Sequence, residues 1–343
     1  MGSVAGSRVP GSGKQVTGAK RVDLRGWLRA NWLELALLTV LAAASIWLVT
    51  AGREIWQTVR PEPTPTLARM PAREGASAVF DAQRAAGIVS FLAALGPRTA
   101  GSDALAVTAE RIEQELRAGG WQVETQPFDL EGLPRRNIVA RAGAGQPIAL
   151  VGVHYDSSPL ADRDPNEASR SQPGPGANDG ASGVAVLLEL ARTLDQESLP
   201  GEVWLVFFDG QYDGAGAPSA AGVRAFIEQT NPASRPPAAA LLDLLGGVAQ
   251  QFTFDPAADP ALSQQIWQLA EDLGYGGWFA PESAAGLELG QTALQGAGLP
   301  TAVIAGSSYP AYRTLQDTPD RIDPQGLARV GRLLQVFLEN RAP

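Results

Sequence analysis

The chain has 343 residues, room for one large α/β domain with an appendage or for two ordinary domains. Hydrophobic residues at 45% and charged residues at 18% suit a globular protein with a sizeable core and exclude a disordered chain. A net charge of −9 argues against nucleic acid as a partner, and the absence of cysteine excludes both a disulfide framework and thiolate zinc.

Residues 1–31 are rich in Gly and Ser and carry Arg8, Lys14, Lys20, Arg21, Arg25 and Arg29 against one acid, Asp23. Residues 35–52 contain no charge, and Trp32, Trp47 and Trp56 stand near the two ends of that run. Such a length is about the minimum for a membrane span, and the flanking basic excess places the tail in the cytoplasm. The expectation is a basic cytoplasmic tail over 1–31 and a single transmembrane helix over 32–53. A Pro-rich spacer over 54–76, with Arg60-Pro-Glu-Pro-Thr-Pro-Thr66, then lifts an extracytoplasmic domain over 77–343 off the cell membrane. A buried helix of a soluble core and a signal peptide cleaved near Val49-Thr-Ala51 are the alternatives.

Within the domain, 82–95 has helical periodicity, with Ile88, Phe91, Leu92 and Leu95 on one face. A turn over 96–102 offers Ser102 or Asp103 as cap for a helix over 104–118. Residues 121–128 alternate like a half-buried strand; 137–142 and 148–154 are further strands joined by Gly143-Ala-Gly145. A long loop over 157–178 is of the kind that lines a site, although its Arg/Asp-rich part, 161–170, reads as solvated. Helices follow at 181–194, 217–229, 260–273 and 324–339, and strands at 202–208, 238–245, 251–254 and 300–305. Strands alternating with helices imply a three-layer αβα architecture around a mostly parallel, mixed sheet.

Four motifs stand in order along this framework: Gly96-Pro-Arg-Thr-Ala-Gly-Ser102, Val151-Gly-Val-His154-Tyr-Asp156, Asn178-Asp179-Gly180, and Phe207-Phe-Asp209-Gly-Gln211-Tyr212. The ending Tyr309-Pro-Ala-Tyr-Arg313-Thr-Leu-Gln-Asp317 completes them. Together they resemble the M28 family of zinc aminopeptidases, which also contains the glutaminyl cyclases. Active members hold two zinc ions with two His, a bridging Asp, a further Asp and a Glu, and a neighbouring Glu acts as general base. The resemblance implies His154, Asp179 and Asp243 as ligands of one zinc, with Asp156 orienting His154. Asp209 and Asp317 are either acids supporting the site or helix caps.

The other half of the expected site departs from the family. Gln211 stands at the general-base position and Tyr212 at that of the ligand Glu, while Arg313 replaces the second His. An amide has no useful basicity, and a guanidinium stays protonated and cannot coordinate a cation. The family's Ser-Asp-His turn reads Leu289-Gly290-Gln291, and the chain has a single histidine. A register shift bringing Asp213 to the ligand position is the alternative. Arg313 is expected to replace the lost cation, donating to Asp179 and stacking on Tyr212. The tryptophans at 204, 267 and 278 read as core or pocket wall.

The functional expectation is a membrane-tethered pseudopeptidase that binds a peptide or a protein N-terminus, or serves as a scaffold, with at most one zinc and no other cofactor. The alternative is a weak hydrolase or glutaminyl cyclase-like enzyme working with one zinc at His154, Asp179 and Asp243. A third possibility is assembly with a protein partner in which the old site plays no part.

Overall fold

The computed structural model describes residues 79–341 apart from 284–286, together with Arg29, Asn31 and Trp32. The apolar run 35–52, nearly all of the basic tail and the spacer 54–76 lie outside these residues. Among the described residues no helix is long and apolar enough to cross a membrane. Contacts divide the chain into Met1–Arg69 and Met70–Pro343, and the second unit holds the elements that follow.

Helix α1 (Ala82–Ala94) starts at Asp81, whose carboxylate accepts from the backbone N–H groups of Gln83 and Arg84. Helix α2 (Asp103–Ala118) is capped by Ser102, which accepts from Leu105 N. Each side chain satisfies backbone donors that a helix start leaves free. Strands β1 (Gln122–Leu130) and β2 (Leu133–Ala142) form a hairpin, with Glu131 and Gly132 at positive φ in its turn. The second strand therefore begins four residues before the 137–142 expected from sequence, because Arg135 and Arg136 hid its apolar character.

The remaining strands are β3 (Pro147–His154), β4 (Glu202–Phe208), β5 (Ala239–Asp243), β6 (Gln251–Phe254), β7 (Phe279–Ser283) and β8 (Thr301–Ser307). Their order across one eight-stranded sheet is β1-β2-β4-β3-β5-β8-β6-β7. The central run β4-β3-β5-β8 is parallel, whereas β2 and β6 meet it antiparallel. Central strands are buried on both faces, as parallel strands require. On β4, Val203, Leu205 and Phe207 enter one core while Trp204, Val206 and Phe208 enter the other.

Helices α1, α2, α3 (Ala181–Thr193), α5 (Pro260–Asp272) and α7 (Pro324–Asn340) contribute to the first core. Helices α4 (Ala221–Gln229) and α6 (Gln291–Gly296) cover the opposite face. Nearly every residue of α3 is buried, including Glu189, which is held by Arg84, Arg192 and the Asp81 N–H. Helix α4 starts four residues later than the sequence suggests. Pro218 instead pairs with Tyr212 in an isolated bridge, and Ala220 takes a left-handed conformation.

The parallel core places its chemistry at one edge. His154 ends β3 opposite Phe208 of β4, and Asp243 ends β5 opposite Ala305 of β8. Asp179 stands just before α3, at the close of the long loop that follows β3. The carboxyl ends of parallel strands are where open α/β sheets bind ligands.

Candidate metal centre

His154, Asp179 and Asp243 converge at this edge, with their ligand atoms all within 4.8 Å of one another and all three side chains buried. The turn before α3 brings Asp179 in, and it demands glycine at 180. Gly180 has φ +96°, and a Cβ there would lie 2.5 Å from Asp156 O and 3.1 Å from His154 Cε1. Only a residue without a side chain lets the backbone pass this close to the imidazole.

The tautomer of His154 follows from its neighbours. Its Nδ1 lies 3.1 Å from the backbone carbonyl of Asp156, which can only accept, so Nδ1 carries hydrogen. Nε2 lies 3.4 Å from Asp179 Oδ1 and 3.3 Å from Asp243 Oδ1, yet it makes no hydrogen bond. A buried imidazole nitrogen left in this state is unusual. Zinc bonds of about 2.0–2.2 Å at tetrahedral angles set donor atoms about 3.3 Å apart, so the two histidine–carboxylate separations fit a shared cation.

Burial on its own lowers the pKa of His154. The charge of Asp243, with the close carboxylates of Asp156 and Asp179, outweighs that and raises it well above the ordinary value. Burial raises Asp243, against the charge of His154. The pocket thus calls for a positive charge, which either a metal or an imidazolium supplies.

Asp156 supports this histidine chiefly through its backbone carbonyl, and its carboxylate lies 3.4 Å from Nδ1. That carboxylate also accepts from the N–H groups of Gln211 and Tyr212, at 3.2 Å each. Asp317 receives the N–H groups of Asn178 and Asp179 at 2.7 and 3.0 Å, so it holds the turn carrying Asp179 rather than capping a helix. Asp209 touches none of the three ligands. It pairs with Arg135 at 2.9 Å and accepts from Tyr155 Oη and the Arg136 N–H, tying β4 to the hairpin.

The positions that depart from the family are filled in a specific way. Tyr212 Oη lies 2.9 Å from Asp179 Oδ1 and 2.7 Å from Oδ2, donating to the acid that would bridge two metals. Burial, then the charge of Asp179, pushes this phenol well above its ordinary pKa, so it stays a donor. Tyr312 Oη stands 3.4 Å away, and burial raises its pKa to about 12. Gln211 turns its amide to the Glu288 carbonyl, at 2.6 Å. Asp213 accepts from Ala215 and Ala217 in its own turn, which rules out the shifted register.

Arg313 does not bond Asp179, contrary to the sequence expectation. Its Nε lies 2.7 Å from Asp162 Oδ1, off the hydrogen-bond line, and Nη2 donates to the Gly216 carbonyl at 2.6 Å. Asp162, half exposed on the long loop, draws the guanidinium away from the buried carboxylates. Only the expected aromatic contact is present, with Cζ 5.5 Å from the Tyr212 ring centre. The loop 161–170 is also not simply solvated. Asp164 is buried and accepts from Leu315 N, strapping the loop to the 309–317 segment.

The fully buried cation beside the site is Arg98, from the turn before α2. It donates to the carbonyls of Tyr155, Pro175, Gly176 and Asp179, and the charges of Asp317, Asp179 and Asp156 oppose the lowering of its pKa by burial. Sequence reasoning placed Arg98 in a motif and missed this role, as it missed Tyr312. Gln291, in the family's Ser-Asp-His turn, donates to Asp255 at 3.1 Å. Trp204 and Trp267 are core residues, and Trp278 lies 3.9 Å beneath Arg329.

Residues 137–338, more than half of the chain, match the model of peptidase family M28, and the chain belongs to that family. The fold superposes on a leucine aminopeptidase precursor from Bacteroides thetaiotaomicron with TM-score 0.72 and 27% identity, over 77% of this chain and 99% of that one. Porphyromonas gingivalis glutaminyl cyclase gives TM-score 0.70 and 28% identity over 76% and 98%. A Zn-dependent exopeptidase from Parabacteroides distasonis gives 0.72 and 26% over 78% and 100%. In sequence, a 114-residue stretch is 40% identical to the uncharacterized protein YfbL of Escherichia coli, covering 33% of this chain and 34% of that protein. The match thus spans about a third of that relative's length.

Proposed function

We propose that this chain is a membrane-anchored, extracytoplasmic M28 domain that holds at most one zinc and lacks di-zinc aminopeptidase turnover, kept as a peptide-binding or scaffolding module. The observation that carries this reading is the Tyr212 hydroxyl on both oxygens of Asp179. A protonated phenol there takes the interaction that a second cation would need, and the only histidine already serves the first position. Zinc at His154, Asp179 and Asp243 would supply a Lewis acid and a bound water of lowered pKa. The chain offers that water no base at Gln211, and loss of a general base costs on the order of 10²–10⁴ in rate. The uncharged run 35–52 and its basic flank support the anchor and the outward placement of the domain.

A second reading, a weak mononuclear hydrolase or glutaminyl cyclase-like enzyme, is favoured by the orphaned His154 Nε2 facing two carboxylates. Metal analysis of the purified protein, with an aminopeptidase assay before and after zinc addition, separates the two. One zinc or none without turnover supports the first; one zinc with turnover that His154→Ala abolishes supports the second.

A further inference from the structure

His154, Asp179 and Asp243 are each no more than 4% exposed, and His154 Nε2, the atom facing both carboxylates, is sealed from solvent. A hydrated cation cannot reach a sealed nitrogen, so loading or unloading this centre requires part of its cover to lift. The cover has two tiers. Tyr212 forms the inner one, its ring packed at 83° to the imidazole and its hydroxyl lying on Asp179. Tyr312 and Arg313, both half-buried, form the outer one. Tyr312 Oη is 3.4 Å from Tyr212 Oη, and the Arg313 guanidinium is 5.5 Å from the Tyr212 ring centre.

The tip of the loop after β3 holds the outer tier down. Asp162 lies 2.7 Å from Arg313 Nε, Arg163 Cζ stands 4.9 Å over the Tyr312 ring, and the Arg163 N–H donates to the Arg313 carbonyl at 3.1 Å. The next residue, Asp164, is buried and accepts from Leu315 N, so the loop is anchored there while Asp162 and Arg163 are exposed. Local opening runs through segments whose contacts are few and solvated, and exposed ion pairs and cation–π contacts hold weakly. The inner parts are tied more firmly: the Tyr212 N–H donates to Asp156, and the turn carrying Asp179 is held by Asp317. Arg313 has φ +56°, a left-handed backbone that a residue with a side chain keeps only where its surroundings impose it. Lifting the tip therefore releases a strained residue together with the ring it covers.

We propose that Asp162 and Arg163 form a strap that sets the rate, and not the affinity, of metal exchange at the buried centre. Neither side chain touches a ligand, so loosening the strap exposes the empty and the loaded centre alike. The proposal rests on the reading of His154, Asp179 and Asp243 as holders of one metal ion. The test uses the full chain and zinc alone, with release into excess chromogenic chelator and uptake from buffered free zinc both followed by rapid mixing. In Asp162→Ala combined with Arg163→Ala, release and uptake should both accelerate by about five- to thirtyfold, the range expected for losing one or two exposed contacts of this kind, at an unchanged Kd. Glu167→Ala removes an exposed side chain of the same loop that pairs only with Arg170, and it should leave both rates as they are. Wild-type rates in the double variant, faster release with unchanged uptake, or an equal acceleration in Glu167→Ala overturn the strap while leaving the metal reading in place. Failure of the wild type to take up zinc overturns both.

Discussion

Tyr212 decides the character of the site because a phenol and a carboxylate act oppositely toward Asp179. A glutamate there would add negative charge and attract a second cation, whereas Tyr212 donates a hydrogen to both Asp179 oxygens and stays neutral. Hydrogen bonds to a charged group contribute about 1.5–3 kcal/mol, so Tyr212→Phe should destabilise the metal-free protein by about that much in urea denaturation. Arg313 makes the contrasting case. Its partner Asp162 is half exposed, and such pairs contribute about 0–1 kcal/mol. Arg313→Ala should therefore shift the denaturation midpoint little and leave the zinc count unchanged, whereas a gain of a second zinc would show that the guanidinium guards the site. Gln211→Glu, Tyr212→Glu and Arg313→His combined should raise the zinc count from one to two by metal analysis.

At the level of elements, the turn into α3 is the most exposed to substitution. A side chain at Gly180 would need a left-handed backbone and would run into Asp156 O and the His154 ring. Gly180→Ala should cost about 1–3 kcal/mol from backbone conformation alone and abolish zinc binding, measurable by denaturation and metal titration. This turn was legible in the sequence, as was the strand end at His154; the strand carrying Asp243 was expected to run on to Leu245 but ends at Asp243, because the two leucines that follow prolong the apolar pattern. Apolar runs broken by a single polar residue announce a strand leaving the core. Other features left no such signal. The start of β2 is hidden by Arg135 and Arg136, β7 and α6 are short, and α4 yields its first turn to the Tyr212–Pro218 bridge. The partner of Arg313 also stayed hidden, because Asp162 is distant in sequence and sits in a loop whose composition suggested only solvation. Charge type could be read from the sequence; which acid meets which base depends on how the long loop folds back.

Across the whole molecule, the fold keeps several carboxylates buried around one edge of the sheet, and this couples stability to pH. Burial, with the charge of Asp156, raises Asp209 to about 6 against the pull of Arg135. The folded protein therefore holds a proton that the unfolded chain has lost at that pH. The contribution of Asp209 is fully present below its unfolded pKa near 3.8 and is lost as pH rises through about 6, a change of about 3 kcal/mol. Unfolding free energies measured between pH 4 and 7 should carry this downward contribution in the wild type and lack it in Asp209→Asn. The same concentration of acids gives the domain its demand for positive charge, which Arg98 meets in part and which either a protonated His154 or one metal ion would complete. The count of bound zinc in purified full-length protein tests that account most directly. The expectation is one equivalent or fewer, lost in His154→Ala, with no aminopeptidase turnover. Two equivalents accompanied by rapid removal of N-terminal residues would contradict it.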